Sequence, residues 1–134
     1  MKRINRFKIA LLILTLVLIS LVACTTKPAA GELIISAADA YQLYQDDVLV
    51  LDVRTPEEYQ ESHIPGSVLI PLDQLSLRTG ELPQNETILV YCRSGNRSLE
   101  AVYMLEKAGF KRVHSLDQGI NNWIRKGYEV EIGE

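Results

Sequence analysis

The sequence predicts one α/β domain with a mainly parallel central sheet and helices on both faces. Short apolar runs alternate with stretches of helical periodicity from residue 32 onward, as in folds where strands and helices follow each other in turn. Two of the apolar runs, at 48–53 and 87–91, are of the kind that lies buried on both faces of a parallel sheet. At 134 residues, the chain has room for one such domain at most.

The first half of the domain contains two strands, each followed by a helix. A strand over 33–35 leads into a helix with Ser36 as the N-cap and Asp39 near its positive end. The second strand, 48–53, precedes a Thr-Pro-Glu-Glu sequence at 55–58, which combines an N-cap, a proline in the first turn and a capping-box glutamate. Local chemistry therefore predicts both helix starts.

The second half continues the alternation and ends its helices at glycine. Further strands are predicted over 68–70, 87–91 and 113–116, and further helices over 98–108 and 120–126. Gly109 and Gly127 directly follow these two helices, as expected of C-terminal caps. Between residue 70 and Pro83 the sequence is rich in turn formers, and we expect an irregular connection there.

The segment before the domain has the composition of an export signal. Residues 1–8 carry four basic side chains, residues 9–22 are uncharged, and Ala23 precedes Cys24. Fourteen residues of helix rise about 21 Å, less than the ~30 Å hydrocarbon core of a bilayer, which favours a cleaved signal peptide over 1–23; an uncleaved membrane anchor is the alternative. The sequence Leu-Val-Ala-Cys that ends at Cys24 is similar to a lipobox, which implies that Cys24 is lipidated and becomes the mature N-terminus.

These assignments place the domain outside the cytoplasm, attached to the membrane through an N-terminal lipid. Basic residues before the apolar stretch, and almost none directly after it, predict the same orientation for either kind of anchor. Residues 24–31 are small, polar and interrupted by Pro and Gly, which indicates a flexible tether, and residues 32–134 form the domain. Loss of residues 1–23 removes four basic residues and no acidic one, so the formal net charge of −3 becomes −7. A chain this acidic is a poor candidate for binding nucleic acid.

Cys92 is the residue best suited to carry chemistry. With Cys24 lipidated it has no partner for an intramolecular disulfide, and an unpaired cysteine in an exported protein suggests a reactive thiol or an intermolecular disulfide. A small, buried and inert cysteine is the alternative. Because Cys92 directly follows the strand 87–91, we expect it at the carboxyl end of the sheet, where ligands of such folds bind.

The loop after Cys92 has the composition of an anion cradle. It is short and runs into the start of a helix, so several backbone N–H groups and the helix dipole are expected to point at a bound anion. Gly95 permits the positive φ that a tight cradle requires. With Arg93 and Arg97 nearby, we expect the pKa of the Cys92 thiol to be lowered.

Three parts of the chain resemble the signatures of single-domain rhodaneses. Residues 90–98, Val-Tyr-Cys-Arg-Ser-Gly-Asn-Arg-Ser, are similar to the active-site loop of that family. Residues 52–59, Asp-Val-Arg-Thr-Pro-Glu-Glu-Tyr, and residues 63–67, His-Ile-Pro-Gly-Ser, are similar to its N-terminal signature. Residues 119–123, Gly-Ile-Asn-Asn-Trp, are similar to its C-terminal segment. The three motifs occur in the family's order and cover nearly all of the domain.

The resemblance implies a sulfurtransferase with Cys92 as the catalytic nucleophile. The thiolate would take a sulfane sulfur from a small anionic donor such as thiosulfate, hold it as a persulfide, and pass it to cyanide or a thiol. The implied active-site loop consists of Arg93, Ser94, Gly95, Asn96 and Arg97. Asp52 and Arg54 are implied to brace this loop, with a plain surface ion pair as the alternative. The resemblance implies neither a metal nor an organic cofactor.

Side chains around the loop have more modest expected roles. Arg97 is expected to bridge loop and sheet, and Arg93 to face the incoming donor. Glu58 is interpreted as a helix cap rather than a catalytic acid. His63 is interpreted as structural, His114 as a core or surface residue, and Tyr59 and Trp123 as core aromatics. The chain departs from the family at Ser62, where glycine is common, and within 117–119, where a Gly-Gly pair is usual.

Other functions are open for the same loop. Four residues separate Cys92 from Arg97, whereas cysteine phosphatases of the same fold have five, so the shorter loop favours a single sulfur atom over a phosphate. A rhodanese-like module that carries a persulfide, or only binds a partner, without significant turnover is the main alternative to an enzyme. A redox role for a lone thiolate outside the cytoplasm is the third possibility.

Overall fold

Five strands form one parallel sheet in the computed structural model, which describes residues 31–133. The strands are β1 (Ile34–Ile35), β2 (Leu49–Asp52), β3 (Val68–Leu69), β4 (Ile88–Tyr91) and β5 (Val113–Leu116). Their order in the sheet is β1-β5-β4-β2-β3, and every pairing is parallel. β4 is therefore the central strand, and the loop that follows it opens at the middle of the sheet's carboxyl edge.

The sheet carries helices on both faces. Within the described residues these are α1 (Ala37–Gln45), α2 (Pro56–Glu61), α3 (Leu72–Arg78), a 3₁₀ helix (Thr79–Glu81), α4 (Asn96–Lys107) and α5 (Gly119–Arg125). Side chains of β4 alternate between the two faces. Ile88 and Val90 pack with α3 and α4, whereas Leu89 and Tyr91 pack with α1 and α5. The predicted α/β architecture is thereby confirmed.

Both predicted helix starts have the expected caps. The Ser36 hydroxyl accepts the Asp39 N–H at 3.2 Å. At the start of α2, Thr55 Oγ1 accepts the Glu58 N–H at 3.3 Å, and Glu58 Oε2 accepts the Thr55 N–H at 3.1 Å. This reciprocal capping box fixes the first turn of α2 directly after β2, the strand that adjoins β4.

Two parts of the fold differ from the sequence prediction. The connection after β3, expected to be irregular, contains α3 and the 3₁₀ helix. Leu72 and Leu75 lie three residues apart, so one side of a short helix reaches the core, where Leu75 is fully buried. α4 begins at Asn96 rather than at residue 98, because Gly95 adopts a left-handed conformation (φ 100°) that turns the chain into the helix earlier.

An aromatic cluster fixes α5 against α1. The ring of Trp123, which is fully buried, lies 5.7 Å from that of Tyr41, 5.5 Å from that of Tyr44 and 5.0 Å from that of Tyr128. Its indole N–H donates to the Glu129 carbonyl at 2.8 Å, so the polar edge of the ring is satisfied. The predicted core role of Trp123 is confirmed, and the position of α5 matters to the site because its first residues contact the loop after β4.

The predicted signal peptide, Cys24 and the tether up to residue 30 lie outside the described residues. Between residues 31 and 133, no helix combines the length and the hydropathy needed to cross a membrane.

Candidate active site

Cys92 lies at the centre of the carboxyl edge of the sheet, directly after β4. Its Sγ accepts the Gly95 N–H at 3.1 Å and lies 3.6 Å from Ser98 Oγ. The residue is almost fully buried and forms no disulfide within residues 31–133. The sulfur is therefore held between the loop 93–97 and the first turn of α4, as an anion is held in a backbone nest.

The surroundings of Cys92 favour the thiolate. Burial raises the pKa of the thiol, but hydrogen bonds from the Ser98 hydroxyl and from the N–H groups of Ser98, Gly95 and Ser94 together outweigh it, so the pKa falls below its ordinary value. The direction is the one expected from the sequence, but the main cause differs. The largest lowering contributions come from these hydrogen bonds and not from the arginines. The thiolate is the nucleophilic form of cysteine.

Two buried serines support the sulfur site from inside the domain. The hydroxyl oxygens of Ser98, on α4, and Ser115, on β5, are 2.8 Å apart, and both residues are buried. Ser98 also donates to the Gly95 carbonyl at 3.0 Å. Because Ser115 can donate to Ser98 Oγ, the single Ser98 proton can serve the Gly95 carbonyl or the Cys92 sulfur. Neither serine has a role in the sequence prediction, although Ser98 directly follows the loop and Ser115 lies in a predicted strand.

Both loop arginines are paired with glutamates of α2. Arg97 binds Glu58 through two hydrogen bonds, Nη1 to Oε2 at 2.7 Å and Nη2 to Oε1 at 2.8 Å. Arg93 donates from Nε to Glu58 Oε1 at 3.0 Å and from Nη2 to Glu61 Oε2 at 3.2 Å. The sequence predicts that Arg97 bridges loop and sheet and that Arg93 faces the donor. Both side chains instead turn to α2, because β2 pairs with β4 and brings α2 beside the loop.

Glu58 is the common partner in this network, in addition to being the predicted helix cap. Hydrogen bonds from Arg97 are the largest influence on its carboxyl, and although burial opposes them, bonds from the Thr55 N–H and Arg93 add to them and lower the pKa to about 2. Glu58 is therefore ionised whenever the protein is folded at ordinary pH. The sequence could not reveal these pairings, because the arginines lie 35 and 39 residues away along the chain.

Asp52 and Arg54 form a buried ion pair, not the surface pair considered as an alternative. Arg54 Nη2 donates to Asp52 Oδ2 at 2.6 Å and to the Ser62 carbonyl at 2.7 Å. The guanidinium also lies over the ring of Tyr91, 5.3 Å from its centre. The pair thus supports the turn after α2 and the residue before Cys92. Ser62 and Tyr91 therefore link the pair to the cysteine loop.

Helix α5 holds the Cys92 loop through backbone hydrogen bonds. The N–H of Ile120 donates to the Cys92 carbonyl at 2.8 Å, and the N–H of Asn121 to the Arg93 carbonyl at 3.3 Å. This approach requires Gly119, because a Cβ there would collide with the Cys92 carbonyl and come within 2.7 Å of the Arg93 backbone. The neighbouring Gln118, in the segment where the family has a Gly-Gly pair, adopts a left-handed φ of 55°.

The remaining residues that the sequence singles out are two loop residues and two histidines. Ser94 and Asn96 are exposed, Ser94 contributing its N–H to the sulfur site and Asn96 opening α4. His63 stacks on Tyr59, with ring centres 3.8 Å apart, and its Nδ1 lies 3.0 Å from the Tyr59 carbonyl. His114 Nδ1 lies 2.6 Å from the Glu32 carbonyl. His63 therefore has the structural role predicted for it, and His114 is buried, which is one of the two positions predicted for it.

Known proteins with the same sequence pattern and fold provide an independent comparison. A family model described as a rhodanese-like domain matches residues 36–126. The chain is 38% identical over 89 residues to a sulfurtransferase of Allochromatium vinosum, which covers 66% of this chain and 83% of that protein. It is 44% identical over 77 residues to the putative sulfur carrier protein YrkF of Bacillus subtilis, covering 58% of this chain and 42% of that protein. A crystal structure of a rhodanese-related protein from Thermoplasma volcanium matches with a TM-score of 0.69 and 35% identity, over 74% of this chain and 97% of that one.

Proposed function

The chain belongs to the rhodanese-like domain family, and from this membership we propose that it is a sulfurtransferase that moves a sulfane sulfur from a donor such as thiosulfate to cyanide or a thiol. The observation that carries the proposal is the site of Cys92. The Cys92 thiol, whose pKa is lowered, accepts the Gly95 N–H at 3.1 Å, and its Sγ lies 3.6 Å from the Ser98 hydroxyl at the start of a helix. Such a site activates the nucleophile and also stabilises the anion that the reaction forms.

The proposed reaction has two half-reactions. In the first, the Cys92 thiolate attacks the outer sulfur of thiosulfate, the S–S bond of the donor breaks, and sulfite leaves with the bonding electron pair. Cys92 then carries a persulfide anion, whose charge the loop N–H groups stabilise as they did that of the thiolate. In the second, cyanide or a thiolate attacks the terminal sulfur and leaves as thiocyanate or a persulfide, which regenerates the Cys92 thiolate.

A sulfur carrier is the second candidate function. Similarity to the putative sulfur carrier YrkF, at 44% identity, favours it as strongly as similarity to the Allochromatium vinosum sulfurtransferase favours an enzyme. Both functions share the persulfide on Cys92. They differ in the second half-reaction, because a carrier releases its sulfur only to a specific partner, whereas the enzyme turns over with a small acceptor.

The test is the mass of the protein before and after thiosulfate. We expect a gain of about 32 Da, reversed by cyanide or dithiothreitol, and no gain in Cys92→Ser. Continuous formation of thiocyanate, faster than in the variant, supports the enzyme. A gain in mass without turnover supports the carrier, and an unchanged mass with no thiocyanate contradicts both.

We also propose that the domain is attached outside the cytoplasm as a lipoprotein, with residues 1–23 removed and Cys24 lipidated. The basic start, the short apolar stretch and the sequence Leu-Val-Ala-Cys ending at Cys24 support this. Two or more acyl chains give lasting membrane attachment, whereas one gives only marginal binding. The protein should incorporate labelled palmitate and partition with membranes, and Cys24→Ser should not be labelled. If neither form takes up lipid and both begin at the same residue, the assignment is wrong.

A further inference from the structure

The outer rim of the site consists of Arg93 and Arg97 of the loop and Glu58 and Glu61 of α2. Its two arginines are held with different firmness. The Glu58 carboxylate accepts hydrogen bonds from the Thr55 N–H, from Arg97 twice and from Arg93, so its capacity is filled. Glu58 and Arg97 are only 15% and 35% exposed, which leaves them little freedom. Arg93 and Glu61, in contrast, are 52% and 69% exposed. The Arg93–Glu61 contact is therefore the part of the rim that can open.

The charges of the rim cancel. Arg93 and Arg97 bring two positive charges, and Glu58 and Glu61 bring two negative ones, all within ion-pairing distance. Among the rim residues, an anionic donor such as thiosulfate consequently meets no unpaired positive side chain unless Arg93 leaves Glu61. A persulfide of an uncharged organic thiol that reacts in its protonated form, R–S–SH, carries no charge and does not need that cation, because the N–H groups around Cys92 can hold the transferred sulfur.

We propose that Glu61 is a specificity-determining residue, which withholds Arg93 from anionic donors and so favours thiol persulfides over thiosulfate. The inference rests on the proposed sulfur transfer to Cys92 and deepens it by naming the donor class. In the favoured reaction the Cys92 thiolate attacks the terminal sulfur of a persulfide R–S–SH, and the donor S–S bond breaks. The thiolate R–S⁻ leaves with the electron pair and takes the proton, so that Cys92 holds the persulfide anion.

The experiment compares Glu61→Gln with Glu57→Gln in the full-length protein. Glu57 lies on the same helix and carries the same charge, but its carboxylate interacts with Thr55 at the helix start. Each form is assayed with two donors, thiosulfate and the persulfide of an uncharged thiol such as mercaptoethanol, with cyanide as the common acceptor. Exposed ion pairs shift equilibria by about two- to fivefold, so we expect the KM for thiosulfate to fall about threefold in Glu61→Gln. The KM for the persulfide should be unchanged, and Glu57→Gln should match the wild type with both donors.

A second substitution identifies the cation. In the wild type, Arg93→Ala leaves Glu61 without its cation and the rim with a net negative charge, so the KM for thiosulfate should rise. In the Glu61→Gln background it should restore the wild-type KM. An unchanged ratio of the two donors in Glu61→Gln, or an equal change in Glu57→Gln, overturns the inference while leaving sulfur transfer intact. Failure of Cys92 to gain mass with either donor overturns the proposed function and this inference together.

Discussion

The inner and outer sides of the Cys92 loop stabilise charge by different means. On the inner side the sulfur is surrounded by neutral groups, the Gly95 N–H and the buried Ser98 hydroxyl among them. On the outer side, Arg93 and Arg97 are matched by carboxylates of α2. Oriented dipoles in a buried site need no counterion, whereas charged side chains at the surface pair with their neighbours. Groups in the interior thus determine how readily Cys92 forms the thiolate. The charged residues of the rim are left to determine which donors approach it.

The largest expected effect comes from breaking the support of the inner side at Gly119. In Gly119→Ala the added Cβ collides with the Cys92 carbonyl, at a residue whose φ is already positive. We expect the free energy of unfolding to fall by about 3 kcal/mol, with loss of sulfur transfer. Chemical denaturation and a mass assay measure the two effects. Gly80→Ala is the control, since a Cβ at Gly80 meets no atom of another part of the chain within 4 Å. Wild-type stability in Gly119→Ala would show that α5 does not hold the loop.

The next effect is on the thiol itself. Ser98→Ala removes the hydroxyl that most lowers the pKa of Cys92, so the pKa rises and less thiolate exists at neutral pH. We expect the rate of alkylation by iodoacetamide at neutral pH to fall about tenfold, with its pH profile moved to higher pH. Ser94→Ala keeps the backbone N–H and should leave the profile in place. An unmoved profile in Ser98→Ala would refute the dominant role of the inner side.

On the outer side, Glu58→Gln should change stability rather than thiol reactivity. The pKa of Glu58 is about 2 in the folded protein against an ordinary 4.5. Because the folded-state pKa is the lower one, the carboxylate's stabilisation is complete above 4.5 and is lost as the pH falls from about 4.5 to 2. We expect the variant to be less stable than the wild type by about 1–2 kcal/mol at neutral pH, and this difference to shrink in acid. Denaturation at several pH values measures it, and a difference independent of pH contradicts the account.

The smallest effect should come from Ser115→Ala, because Ser115 is separated from the sulfur by Ser98. Ser115 contacts Ser98 rather than Cys92, so its loss only weakens the orientation of the Ser98 hydroxyl. We expect about a twofold fall in alkylation rate at neutral pH, far less than in Ser98→Ala. If the two variants behave alike, the two serines act as one unit and Ser98 does not have the larger effect on the thiol.

What the sequence could predict depends on how far apart the interacting residues lie. The capping box of Thr55 and Glu58 spans three residues, so the sequence predicts it directly. The position of Cys92 follows from a buried strand and a helix start that adjoin it. α3 was missed because it has only seven residues and no side-chain bond at its N-cap, which leaves little local signal.

The pairings that distinguish the two sides of the loop could not be predicted from local patterns. Glu58 meets the arginines across 35 and 39 residues, and Ser98 meets Ser115 across 17. These contacts depend on the sheet order, in which β4 lies between β2 and β5. Periodicity and capping identify the elements but do not state which of them become neighbours.

The position of Trp123 makes its intrinsic fluorescence a probe of the Cys92 site. Trp123 is the chain's single tryptophan, and it lies on α5, the helix whose first N–H groups bind the carbonyls of Cys92 and Arg93. The fluorescent ring therefore lies about one helix turn after the residues that contact the loop. We expect the loading and unloading of sulfur at Cys92 to change the intensity of this fluorescence, so that single turnovers can be followed in real time without a label.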